Sequence, residues 1–389
     1  MTTRVIVTGL GVVSPIGNTL EEFWDALLYQ ESSPQEVPYV RTFDMPHRLA
    51  YRLREELPPA STPTESRAVR FAVHAARLAL QDAGLLPIQG SGPIGVCLGT
   101  ATGNHDVFED ERDRGGAVPS DAYPFSVTAP VARQLGLDGP LLTVSTACAA
   151  GCYSVSLAAE AILTGHADVM VVGGADCVSR VSQACFNRMS AVDLICRPFD
   201  ADRKGTIYGE GAAVMILESE EHAERRGHAL RYAAIEGCGW SCDGHHPTAP
   251  DPAGRQIELA LHRALADAGL TLHDIGCIVA HGTGTELNDV AESSGMDQVF
   301  GAGLARIPVC APKSKLGHTA GAAGAFACLI AALIVDRGLV PPTANLTSID
   351  PRCKLRLHTD WPVSTSARHV LVNAYAFGGN NISVIVGAA

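Results

Sequence analysis

The 389-residue chain has little charge: Asp, Glu, Lys and Arg make up 18% of it, while 47% is hydrophobic. So small a charged fraction on so large a potential core implies that part of the surface is buried between subunits. The charge present sums to −12, which argues against nucleic acid as a partner and means that an acidic partner must meet a local basic patch. No apolar run reaches the roughly 18 residues that cross a bilayer. Residues 1–9 also lack the basic-then-apolar order of a signal peptide, so a cytoplasmic protein without membrane association is expected. The 12 cysteines show no framework spacing, which points to reduced thiols rather than disulfides. Cys238-Gly239-Trp240-Ser241-Cys242-Asp243-Gly244-His245-His246 has metal-ligand residue types at a spacing that fits no standard zinc motif, and no metal is expected. Gly9-Leu10-Gly11-Val12-Val13-Ser14 begins like a dinucleotide fingerprint, but Ser14-Pro15 replaces the third glycine and the helix start, so no nicotinamide is implied.

What is present begins with an internal repeat. Leu80-Gln81-Asp82-Ala83-Gly84-Leu85 recurs as Leu265-Ala266-Asp267-Ala268-Gly269-Leu270, an offset of 185 residues. Each copy closes a helical pattern (70–80 and 255–265) on a glycine stop signal. Each then runs into an apolar strand ending in Gly-Thr, at Gly99-Thr100 and Gly282-Thr283. Further on, each half has a small-residue turn opening an Ala-rich helix, over 148–163 and 317–335, which sets Cys148 opposite His318. Two copies at so long a period indicate duplication within one globular α/β unit rather than a solenoid. The halves are expected to span 1–228 and 229–389, and 57–63 and 113–120 read as surface loops.

Thr146-Ala147-Cys148-Ala149-Ala150-Gly151 places one cysteine between the β-branched apolar run at 141–144 and a helix. At a strand-to-helix turn, unbonded N–H groups and the positive helix end favour thiolate and can hold an oxyanion. The plainer alternative is a small core residue. His281-Gly282-Thr283-Gly284-Thr285 puts an imidazole at the carboxyl end of the strand Ile278-Val279-Ala280, where α/β proteins usually bind ligands. Lys313-Ser314-Lys315-Leu316-Gly317-His318 supplies a second imidazole, just before a glycine-dense helix start that lets backbone approach closely. A cysteine and two histidines on small-residue turns form one candidate constellation.

With these motifs in this order, the chain resembles a β-ketoacyl-acyl carrier protein synthase, a ketosynthase of the thiolase superfamily, of the type II fatty-acid or polyketide kind. The likeness runs from Val5-Ile6-Val7-Thr8-Gly9 to Phe377-Gly378-Gly379-Asn380-Asn381. It implies a duplicated thiolase-like α/β fold, layered α-β-α-β-α with two five-stranded mixed sheets, and a dimer. It also implies an acyltransferase in which Cys148 carries an acyl group while His281 and His318 bind the thioester carbonyl of decarboxylating malonyl-carrier protein. The N–H groups of Cys148 and Phe377 would hold the oxyanion. Lys313 would tune the second imidazole, Glu292 would support Lys313 or the dimer core, Phe377 would gate the nucleophile and Phe186 would wall the acyl pocket. Thr283 and Thr285 would contact the phosphopantetheine arm, or else bond their own turn. No resident cofactor is implied, because the arm arrives on acyl carrier protein. That acidic carrier makes Arg67 with Arg70, on one helical face, and Arg203 with Lys204 candidate docking cations, with ordinary solvated charge the alternative.

Departures from the family pattern gather near the acyl pocket. Residues 189–196 form a shorter loop than fatty-acid condensing enzymes have. Tyr375, Ala376 and Asn380 stand where Phe, Gly and Thr are common, and His105-Asp106 are polar where those enzymes are apolar. These features favour specialised polyketide or polyene synthesis over housekeeping fatty-acid elongation. A homodimer and a heterodimer with a homologous ketosynthase-like subunit both fit. A chain-length-factor-like subunit would usually lack Cys148, and a thiolase proper would carry a late cysteine where this chain has Phe377-Gly378-Gly379.

Overall fold

The computed structural model describes residues 3–37, 45–54, 57, 65–88, 92–117 and 125–389. Most of the loop expected at 57–63, and the end of the one at 113–120, lie outside the described residues. Eleven strands form the main sheet: β1 (Val5–Val13), β2 (Ile94–Gly99), β3 (Leu141–Val144), β4 (Val169–Asp176), β5 (Gly211–Ser219), β6 (Ala233–Cys242), β7 (Cys277–Val279), β8 (Pro308–Cys310), β9 (Arg356–Leu357), β10 (His369–Tyr375) and β11 (Asn380–Gly387). Seven helices matter for the site: α1 (Leu20–Tyr29), α2 (Arg67–Asp82), α3 (Ala150–Leu163), α4 (Arg180–Arg188), α5 (Arg255–Ala268), α6 (Glu286–Phe300) and α7 (Ala323–Arg337).

The strand order is β9-β8-β7-β10-β11-β6-β1-β5-β4-β2-β3. Within it β3-β2-β4-β5-β1 and β8-β7-β10-β11-β6 are the same pattern, parallel across two junctions and antiparallel across the next two. The expected pair of separate five-stranded sheets is corrected in two ways. Val5–Val7 of β1 pair with Ala233–Ile235 of β6, which fuses the two ladders, and the short β9 adds a strand at one edge. β4 and β5 are buried along their whole length, as a sheet covered on both faces requires.

The outer layers come from α2, which lies on β1 and β5, and α5, which lies on β6 and β11. Ser66 caps α2 by accepting the Ala68 N–H, which satisfies one of the unpaired donors at the helix start. Gly9 and Gly11 let α2 sit close: a Cβ there would stand 2.3 Å from the Ala79 oxygen and 2.0 Å from the Ala75 oxygen. Gly237 and Gly239 serve α5 in the same way, against the oxygens of Ala264 and Ala260. The Gly-x-Gly that opens like a nucleotide fingerprint is therefore a helix-packing device.

Between the two half-sheets, α3 and α7 cross at paired glycines. A Cβ on Gly151 would lie 2.4 Å from the Ala325 nitrogen, and one on Gly324 would lie 2.5 Å from the Cys152 nitrogen. The run Ala320–Arg337 has the length and apolarity of a membrane span, which corrects the expectation that no such run exists. Its position in the core explains the composition, since a helix covered on all sides is apolar all round.

Matching turns lead into these two helices. Ser145–Gly151 and His318–Gly324 agree at five of seven positions. Each forms a 3-10 turn with an alanine in the left-handed region, Ala147 at φ 49° and Ala320 at φ 47°. This register sets Cys148 opposite Gly321 and Ser145 opposite His318, so the expected pairing of Cys148 with His318 was three residues out.

Candidate active site

Cys148 lies in the first of these turns and is 7% exposed. The N–H groups of Cys148 and Phe377 act as donors to its sulfur. Burial nevertheless pushes the thiol up to about 11, against the pull of the Lys313 ammonium and those two donors. The expectation of a resting thiolate is corrected: the helix end and the cation are in place, but desolvation outweighs them.

His281 follows β7, and its geometry is set by α6 folding back beneath it. The N–H groups of His281 and Gly282 each donate to the Glu292 carboxylate at 2.8 Å. One turn earlier on α6, Asp289 accepts from the N–H groups of Phe199 (2.7 Å) and Thr283 (3.1 Å) and pairs with the Arg203 guanidinium at 3.1 Å. Lys313 donates to the His281 carbonyl and to its Nδ1 at 3.2 Å, which leaves the ring proton on Nε2. His318 reaches the same tautomer by another route, since its Nδ1 accepts the Ala320 N–H at 3.2 Å. The two rings stand 5.6 Å apart at 85°. Burial first, and the Lys313 charge second, hold both imidazoles well below their ordinary pKa. Both are therefore neutral Nε2–H donors, suited to a developing oxyanion.

Lys313 thus acts on the second imidazole through its charge, in line with the expected assignment, and in addition it contacts the first. Glu292 braces the His281 turn and faces Lys313 electrostatically. Burial raises the Glu292 carboxyl and lowers the Lys313 ammonium.

Cys148, His281 and His318 open onto one cavity of about 500 Å³, which Phe186, Phe377, Thr283, Thr285 and Lys204 also line. Phe377 sits on the loop joining β10 and β11, its ring 6.5 Å from that of Phe186. Phe186, on α4, packs edge-on against His318 at 5.7 Å. The Thr283 and Thr285 hydroxyls bond each other at 2.8 Å while facing the cavity, so the turn-bonding reading and the ligand-contact reading are compatible. The shortened loop contributes Met189, Ser190 and Ala191 to the cavity wall.

The docking cations need correction. Arg203 is 6% exposed and bridges Asp289 and Asp350, so it is an internal cation drawn in by buried carboxylates. Arg67 pairs with the buried Glu210 at 2.6 Å and lies over the Phe71 ring, and Arg70 donates to the Leu57 carbonyl. Of the four, Lys204 alone is exposed. Asp106 is also taken up structurally, accepting from Ser66 Oγ and the Arg67 N–H at the start of α2. In the 238–246 run the ligand-type side chains diverge: His246 accepts from Thr248 and Ala249, while Cys242 donates to the Gly378 carbonyl. Among the described residues no three His, Cys, Asp or Glu side chains converge.

Asp289 went unnoticed in the sequence. Its signal was there: Asp289 and Glu292 are three apart at the start of the helix after the His281 motif, hence on one face.

Family models for the β-ketoacyl synthase N-terminal and C-terminal domains match residues 2–223 and 232–347. The 3-oxoacyl-[acyl-carrier-protein] synthase 2 of Vibrio cholerae serotype O1 is 33% identical over 411 residues, 98% of each chain. Among solved structures, the ishigamide ketosynthase/chain length factor aligns over all of both chains at 36% identity and TM-score 0.92. A β-ketoacyl synthase from Burkholderia phymatum STM815 aligns equally completely at 33% and 0.91. The chain belongs to the β-ketoacyl synthase family, a ketosynthase of the thiolase superfamily and, with it, of the acyltransferases.

Proposed function

We propose that this protein is a β-ketoacyl-acyl carrier protein synthase that condenses malonyl-carrier protein with an acyl group held on Cys148. The observation that carries this reading is a single cavity in which a thiol meets two neutral imidazoles, each with its Nε2–H free to donate. Cys148 Sγ attacks the acyl thioester, its proton goes to the departing carrier thiol, and the N–H groups of Cys148 and Phe377 hold the oxyanion. The malonyl thioester then docks with its carbonyl on His281 and His318. Its carboxylate leaves as CO₂, and the bonding pair becomes an enolate stabilised by the two N–H donors. The enolate carbon attacks the acyl-Cys148 carbonyl, the thiolate departs and takes a proton, and a 3-oxoacyl thioester remains on the carrier.

The reaction in this reading needs no resident cofactor, and the exposed Lys204 at the cavity meets the phosphate of the carrier's phosphopantetheine arm. The protein works in the cytoplasm. The seam of the duplication falls between 228 and 229, a placement supported by the equal strand order on either side. A second ketosynthase-like subunit covers β3, an edge strand whose Leu141 and Leu142 are 48% and 39% exposed; such an open apolar edge is otherwise a liability. Within the family we place the protein in specialised polyketide or polyene synthesis. The short loop at 189–196, whose residues 189–191 line the cavity, and the likeness to the ishigamide ketosynthase/chain length factor support this. Housekeeping elongation, supported by the Vibrio relative, is the second reading.

Intact-protein mass spectrometry after incubation with acyl-carrier protein tests the assignment. Wild type should gain one acyl group and Cys148→Ala none; an adduct surviving the substitution overturns it. Comparing saturated with polyunsaturated acyl donors, with and without a co-purified second subunit, separates the two pathway readings.

A further inference from the structure

The two matching turns differ in what occupies the N–H at their fourth residue. At Cys148 that N–H faces the residue's own sulfur, and in the proposed reaction it turns to the substrate oxyanion. At the equivalent Gly321 it is already bound: the Asp176 carboxylate accepts it at 2.7 Å. Asp176 is fully buried at the end of β4 and also accepts from Thr100 Oγ (2.9 Å), Ala101 N (2.8 Å), Thr102 N (2.9 Å) and Thr102 Oγ (2.8 Å). A side chain has no room beside it, because a Cβ on Gly321 would stand 2.4 Å from the Ala101 nitrogen. The second turn is thus a copy of the nucleophile turn with an internal carboxyl group as acceptor where the first would receive a transient oxyanion.

The turn that Asp176 grips also carries His318. Ala320, whose N–H fixes the tautomer of His318, precedes Gly321 directly and is itself held in the left-handed region, a conformation that persists only when its surroundings impose it. We propose that Asp176 is a positioning residue for malonyl decarboxylation, holding the Ala320–Gly321 turn so that His318 presents Nε2–H to the thioester carbonyl. It touches neither substrate nor nucleophile. Its charge lies near enough to Cys148 to disfavour the thiolate, so removing that charge acts in opposite directions on the two half-reactions.

This inference rests on the proposed function, and the parent protein supplies the control: if it neither acylates Cys148 nor decarboxylates malonyl-carrier protein, the reading of the site fails rather than the role of Asp176. In Asp176→Asn, malonyl decarboxylation should fall about 10- to 100-fold, the penalty of a misplaced catalytic group, while Cys148 acylation holds or quickens. Unchanged decarboxylation, or equal loss in both half-reactions, overturns the proposal. Thr102→Val removes one of the five donors without disturbing Gly321. Should the Asn variant not fold, Thr102→Val decides: a selective loss of decarboxylation supports the role, and no loss or a parallel loss refutes it.

Discussion

His281 and His318 offer the same Nε2–H to one cavity, yet the regions that hold them are built differently. Around His281 the chain has buried charge: Glu292 under the turn, Lys313 on the ring nitrogen, and Asp289 with Arg203 one turn away. Around His318 a backbone amide holds the ring, and among the described residues Asp176 is the one carboxylate bonded to that turn. A charged cluster gives up stability when any member is removed, because the partner left behind is buried and unpaired. A backbone amide has no side chain to delete. The His281 side should therefore be the fragile one, and the His318 side should respond mainly through conformation.

The sharpest break in that comparison is Arg203→Ala. It leaves Asp289 buried without its cation and should cost about 3–5 kcal/mol, read from urea midpoints; an unmoved midpoint would mean that the ion pairs do not support this side. Next is Lys313→Ala, which removes the donor to His281 Nδ1. Decarboxylation should fall about 100- to 1,000-fold, the scale of losing one preorganised donor, with Cys148 acylation reduced less. Equal reductions would place Lys313 with the nucleophile instead.

A smaller effect is graded by pH. Both imidazoles are held well below their ordinary pKa by burial. Below about pH 6.5 the unfolded chain therefore binds protons that the folded chain refuses, and stability falls as pH falls, by up to about 1.4 kcal/mol per unit for each ring. Denaturation curves of His318→Gln should lose one proton's share of that slope, and an unaltered slope would show the ring charging freely in the fold. Least of all, Ala147→Gly and Ala320→Gly should each gain up to about 1 kcal/mol by relieving a left-handed alanine. A loss at 320 alone would mark that methyl as part of the support for His318.

Much of this was legible in the chain. The alternation of apolar strands with Ala-rich helices, the 185-residue repeat and the three small-residue motifs pointed to a duplicated α/β scaffold with Cys148, His281 and His318 at one site. Motifs of this kind are local: a turn needs its glycines and a nucleophile its helix end, and both are written in neighbouring residues. The roles of Arg203, Asp289 and Asp176 were not legible. Arg203 reads as a surface cation until Asp289 and Asp350 are brought to it from 86 and 147 residues away, and nothing near Asp176 in the chain announces Gly321.

By itself, then, the sequence determined which residues could do chemistry and what scaffold would carry them, because periodicity and turn chemistry depend on near neighbours. Their condition was set by folding. Cys148 rests as a thiol because burial outweighs its helix end and its cation. Lys313 touches the first histidine and reaches the second through its charge. In one copy of a repeated turn the N–H faces a thiol sulfur, while the other gives it to Asp176. Each outcome depends on desolvation or on a contact between distant segments, and those exist only once the chain has folded.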